Sequence, residues 1–140
     1  MSLSVLVADV EEMDARYRKL FPDAQLRFAR TLREALDCLA SGDCSLVVVG
    51  VQFDDSRMFE LLLGLKSLPT RAPVACARGS QLLSDLDTVQ GIALAAKALG
   101  ANGFLDLMAH PDTDEGNAAA RQILLACMQA SVSESAPAPN

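Results

Sequence analysis

The chain has 140 residues, of which 51% are hydrophobic and 21% charged, the balance of one globular domain rather than of a disordered segment. Its net charge of −6 argues against a general nucleic-acid footprint, and no apolar run approaches a membrane span. Four cysteines (Cys38, Cys44, Cys76, Cys127) form no C-x-x-C pair and no metal-ligand spacing, and no secretory leader is visible, so a cytoplasmic setting without metal or cofactor is expected.

Residues 4–9 (SVLVAD) form a short β-branched run closed by an acid, the pattern of a strand covered on both faces. Residues 11–21 place Met13, Tyr17, Leu20 and Phe21 at helical spacing before Pro22 interrupts it. Residues 24–29 (AQLRFA) alternate, as a strand near a sheet edge does. Thr31 is an N-cap candidate with Glu34 completing a capping box, and Leu32, Ala35, Leu36 and Leu39 make a stripe that ends at Gly42. Residues 45–51 (SLVVVGV) are the most apolar strand and belong at the sheet centre. A helix is predicted over 57–68, carrying Met58, Phe59, Leu61, Leu62 and Leu65, and a fourth strand over 72–77 (APVACA). A fourth helix over 84–99 stops at Gly100, and a fifth strand follows over 103–107 (GFLDL). Asp112, Asp114 and Glu115 crowd the start of a last helix through Ser131, where carboxylates favour the positive dipole end. Residues 132–140, rich in Ser, Ala and Pro, read as a disordered tail or the start of a linker.

Five β–α units in strict alternation predict an α/β domain over residues 1–131. The expected architecture is a flavodoxin-like (βα)5 fold, a doubly wound parallel five-stranded sheet of order 2-1-3-4-5. In such a sheet the site lies outside the carboxyl ends of the strands, beside the switch between the first and third. That rule nominates Asp9 and Val10, Gly50, Arg78 and Leu107.

The chain resembles the receiver domain of two-component response regulators over nearly all of residues 4–130. The resemblance rests on VLVADVEE (5–12), SLVVVGVQFDDSRMFELL (45–62), APVACARG (72–79) and ALGANGFLDL (98–107). It implies an acidic pair after the first strand, of which Asp9 is kept and Val10 replaces the second. The position of the phosphoacceptor aspartate holds Gly50, that of the phosphoryl-contacting Thr/Ser holds Arg78, and that of the lysine after the fifth strand holds Leu107. Phe104 occupies the position of the aromatic that changes rotamer on activation in many receivers. Aspartyl phosphorylation needs a carboxylate nucleophile and a cation held by several oxygens. Glycine supplies neither, so these five positions read as a vestigial phospho-pocket with no catalytic residue.

Arg78 is expected to reach Asp9, Glu11 or Asp54, and its pairing with Asp9 would hold the pocket in one state. The resulting expectation is a degenerate receiver, not an enzyme: a phosphorylation-independent protein-interaction module of two-component-type signalling. Its partner would be a signalling protein or a second copy, met on the face of the fourth helix, fifth strand and fifth helix. No nucleic acid and no membrane is expected to be a partner. Half of the twelve basic residues (Arg16, Arg18, Lys19, Arg27, Arg30, Arg33) fall in the first quarter, as a solvated helix face or a local docking face. Two alternatives stand beside this reading. One is a flavodoxin-like domain that binds a small anion through Arg78; the other is a working receiver with its phosphosite displaced to Asp54 or Asp55. A hydrolase built on His110 with Cys76 or Cys127 has no supporting spacing.

Overall fold

Alternation along the strands decides how the sheet is covered. Leu6, Ala8, Val47, Val49, Val74 and Cys76 look to one face, where they pack with Ala35, Leu39, Leu61, Leu62 and Ala96. Val5, Val7, Leu46, Val48, Ala75 and Ala77 look to the other, against Tyr17, Leu20, Ala120 and Leu124. Successive strand residues point to opposite faces, so an all-apolar run fills two cores at once.

The structure is a computed structural model that describes residues 3–42, 44–68, 70–79 and 86–135. The strands are β1 (Ser4–Ala8), β2 (Gln25–Ala29), β3 (Leu46–Gly50), β4 (Val74–Arg78) and β5 (Gly103–Asp106). The helices are α1 (Asp14–Leu20), α2 (Leu32–Ser41), α3 (Met58–Leu65), α4 (Leu86–Ala98) and α5 (Asp114–Ser135). All pairings are parallel and the order is β2-β1-β3-β4-β5. The expected flavodoxin-like order is therefore the observed one. α1 and α5 cover one face and α2 to α4 the other. No helix among the described residues is long and apolar enough to cross a membrane.

The N-cap at Thr31 forms as read, its hydroxyl accepting from the Glu34 N–H at 3.1 Å, while the Glu34 carboxylate accepts from that hydroxyl at 3.3 Å rather than from the Thr31 N–H that a full capping box would use. α4 ends at Gly100, whose φ of +108° a side chain would resist, while the Ala101 N–H returns to the Ala96 carbonyl at 3.0 Å. The predicted start of this helix at Ser84 lies outside the described residues. α3 is short for an isolated helix. Burying Leu61 and Leu62 supplies roughly 1.5–3 kcal/mol each, which is what holds it.

Several boundaries differ from the sequence reading: β4 starts at Val74 rather than Ala72, Leu107 falls in a 3-10 turn rather than in β5, and the helices differ as follows. The first helix begins at Asp14, because residues Glu11–Met13 wind as a tighter 3-10 turn with Met13 N–H on the Val10 carbonyl. α3 stops at Leu65, where Lys66, Ser67 and Leu68 donate three residues back rather than four. Ahead of α3, Asp54, Asp55 and Ser56 all have positive φ (46°, 55° and 67°), a left-handed turn that costs roughly 1 kcal/mol or more per non-glycine residue. The last helix runs to Ser135 rather than ending at Ser131. Residues 131–135 contain neither Gly nor Pro to interrupt it.

Candidate functional site

Register builds the site. Residues Val5 to Ala8 pair with Leu46 to Val49, so the next residues, Asp9 and Gly50, stand side by side at the strand ends. Both continue the face that Val5, Val7 and Val48 present to α1 and α5. Asp9 is 4% exposed, and both of its carboxyl oxygens are engaged. Oδ2 accepts from the Tyr17 hydroxyl at 2.7 Å, and Oδ1 accepts from the Val10 N–H at 2.7 Å. A Cβ at residue 50 would overlap Asp9 Cγ and both carboxyl oxygens. Glycine is needed here because another residue's side chain occupies the room its own would take.

Burial raises the Asp9 pKa above the ordinary carboxylate value, opposed by the Tyr17 and Val10 donors and by the charge of Arg30. Burial and the neighbouring Asp9 push the Tyr17 hydroxyl well above its ordinary value, so it stays a donor. Arg30 closes the arrangement from β2. Its Nη1 donates to the Asp9 carbonyl oxygen at 3.0 Å, and its Nη2 makes an ion pair with Asp14. The guanidinium also lies 5.4 Å from the centre of the Phe28 ring.

Arg78 does not pair with Asp9. Its Nη1 donates to Asp106 Oδ2 at 2.9 Å, between side chains 12% and 29% exposed. The reason is strand parity. Arg78 continues the face of Val74 and Cys76 toward α2 to α4, whereas Asp9 continues the opposite face. The neighbouring strand sets Asp106 directly opposite Arg78, so a cross-strand pair forms instead. Asp106 Oδ1 then accepts from the Met108 N–H at 3.0 Å, which fixes the carboxylate between two donors.

The other nominated residues separate. Leu107 is buried in the core beneath α1 and α5. Phe104 is half-buried against the opposite core. Asp54 Oδ2 accepts from the Leu32 N–H at 2.8 Å, capping α2 from outside, and Asp55 is exposed. Neither acid lines the cleft at the strand ends. His110 offers its carbonyl oxygen to Arg16 at 2.7 Å, and no hydrogen bond joins its ring to Cys76 or Cys127.

That cleft has a volume of about 450 Å³ and is lined by Asp9, Val10, Glu12, Met13 and Arg78 among others. The Met13 thioether lies so close over Gly79 that a side chain there would meet it. A divalent cation needs several hard oxygen ligands. Asp9 offers one carboxylate whose oxygens are both bonded already, and among the described residues no three His, Cys, Asp or Glu side chains converge. The residues do not fit a metal, and position 50 has no nucleophile.

Three participants were not nominated from the sequence. Tyr17 read as one member of an apolar helix stripe, Arg30 as part of a basic face, and Asp106 as the interior of a strand. Only Asp106 carried a usable signal, since a parallel β4–β5 pair in this order can place it beside Arg78. Tyr17 and Arg30 reach Asp9 through packing that no local spacing encodes.

No protein-family model and no curated protein sequence matches the chain. Solved structures do. A CheY-like receiver domain protein from Methanospirillum hungatei JF-1 aligns with a TM-score of 0.69 at 16% identity, covering 96% of this chain and 100% of that one. The signal receiver domain of a putative LuxO repressor protein from Vibrio parahaemolyticus aligns at 0.64 and 18% identity, covering 96% and 95%. A Burkholderia pseudomallei response regulator, solved with a phosphorylated aspartic acid, calcium and citrate, aligns at 0.62 and 16% identity, covering 96% and 74%. With five parallel strands in the same order, the chain has the fold of a response-regulator receiver domain.

Proposed function

We propose that the chain is a receiver-like signalling domain that works without phosphorylation, its strand-end cleft holding no acceptor and its output a protein contact. The observation that carries this is the place of the Asp9 carboxyl, over Gly50 and bonded to Tyr17, where a phosphoacceptor side chain would have to stand. Loss of the acceptor alone would leave empty the room its side chain took. Here the surviving acid fills the gap, and Arg30 supplies the positive charge beside it. The vestigial pocket of Asp9, Val10, Gly50, Arg78 and Leu107 is then structural, and the domain is not an enzyme. Its partners are proteins, met on the α4–β5–α5 face or at the basic first quarter, and its setting is cytoplasmic.

The small-anion reading is weaker, because Arg78 is tied to Asp106 while Asp9 and Glu12 line the same cleft. A displaced phosphosite is weaker too, since Asp54 is spent on capping α2. Titration with Mg²⁺ and beryllofluoride, a phosphoryl mimic, followed by backbone amide shifts, tests the proposal. The amides of Asp9, Gly50 and Arg78 should not move at millimolar ligand. Saturable shifts there, or centred on Asp54 or Asp55, would show a working switch and end this reading.

A further inference from the structure

β2 is the outer strand of the sheet, with β1 on one side and no strand on the other among the described residues. The Gln25 N–H donates inward to the Leu3 carbonyl at 2.8 Å. Alternation along a parallel strand then turns the N–H and C=O groups of Leu26 and Phe28 outward. The edge carries concentrated positive charge in a chain of net charge −6. Between residues 18 and 33 stand Arg18, Lys19, Arg27, Arg30 and Arg33, against the single acid Asp23.

These cations are not equally free. Lys19 reaches Asp112 at 3.2 Å and Arg30 is paired with Asp14. Arg27 and Arg33 are exposed, and neither makes an ion pair among the described residues. Arg18 is also exposed and lies 5.0 Å from the centre of the half-buried Phe28 ring, which Arg30 approaches too. The strand therefore offers outward backbone groups, an aromatic side chain and a positive field together. Edge charges also discourage unwanted pairing, and a like-charged strand would be repelled. An acidic one would not.

We propose that the β2 edge takes up an extended acidic segment of a partner protein as an added strand. Its backbone would pair with Leu26 and Phe28, and its alternate carboxylates would meet Arg27 and Arg33 on the face that α2 covers, leaving its other side chains beside Phe28. Carboxylates suit guanidinium forks, and the field of four arginines favours their approach. The inference rests on the reading of the domain as a binding module and adds where the partner lies and what chemistry it has. The pocket titration above and the peptide titration below can fail separately.

The probe is a synthetic ten-residue peptide of alternating Glu and Val, with a Lys/Val peptide and a single-stranded oligonucleotide as controls. Binding is read by fluorescence anisotropy and by backbone amide shifts and hydrogen exchange. The Glu/Val peptide should bind saturably, and the Leu26 and Phe28 amides should shift and gain protection. Arg27→Glu with Arg33→Glu, both exposed and in no ion pair among the described residues, should weaken binding tenfold or more while the thermal midpoint stays unchanged. No binding at millimolar peptide, shifts centred away from β2, or equal binding by the double variant would overturn the proposal. Tighter binding of the oligonucleotide than of the peptide would also overturn it, and would mark the edge as a nucleic-acid footprint.

Discussion

Gly50→Ala is the smallest change that should damage this fold. The added methyl would occupy the space of the Asp9 carboxyl, so that carboxyl must move, and its 2.7 Å bond from Tyr17 must break. Forcing extra volume into a packed site costs about 1–3 kcal/mol. Leaving a buried donor or acceptor without its partner costs about 1–3 kcal/mol more. The sum, about 2–6 kcal/mol, is a large share of the 5–15 kcal/mol that ordinarily holds a domain. At about 3–4 °C per kcal/mol for a domain of this size, the thermal midpoint should fall by about 6–24 °C. Urea unfolding of the wild type, Gly50→Ala, Asp9→Ala and the double variant completes a cycle that isolates the contact. Asp9→Ala empties the space, so the second methyl should then be tolerated, and the two changes should couple by about 1–3 kcal/mol. A Gly50→Ala protein within about 0.5 kcal/mol of wild type, or strictly additive variants, would show that Asp9 does not lie over Gly50.

Tyr17→Phe removes the donor to Asp9 Oδ2 and should destabilise the domain by about 1–3 kcal/mol. Because that bond holds the Asp9 pKa down against burial, the variant should raise it further, which a carboxyl-carbon NMR titration would read directly. The same shift sets the pH dependence of stability. With its folded pKa above the ordinary 3.8, Asp9 contributes stability that is fully present below that value and is lost as pH rises through the folded pKa. Urea midpoints of wild type relative to Asp9→Asn should therefore improve as pH is lowered toward 3.8, and a difference independent of pH would contradict the burial. Asp106→Asn keeps an acceptor for the Met108 N–H but loses the charge facing Arg78. It should cost about 1–3 kcal/mol in thermal or urea unfolding. Cys76 is fully buried and its thiol is pushed up to about 12. Iodoacetamide at pH 8 should therefore label the half-buried Cys38 and Cys44 before Cys76, which should react only after unfolding, as mass spectrometry of the digests would show.

Much of the architecture was legible in the amino-acid order because its causes are local. Strand runs such as SVLVA and LVVVG, helical stripes between them, the Thr31–Glu34 cap and the Gly100 stop each act within a few residues. Their alternation leaves few ways to wind a parallel sheet. The boundaries that moved, at Glu11–Met13, Asp54–Ser56 and Leu65, are places where turn geometry competes with helical propensity. Position 50 could be recognised as lacking a nucleophile from its identity alone. What fills the pocket could not. Asp9 meets Gly50 through β1–β3 register, Tyr17 reaches it from α1, and Arg30 from the end of β2. Arg78 was read as the partner of Asp9 because both stand at strand ends. The pleat sends them to opposite faces, and the β4–β5 register gives Arg78 to Asp106. Residue type was written in the chain, but which side chain stands over which glycine was decided only when the strands paired.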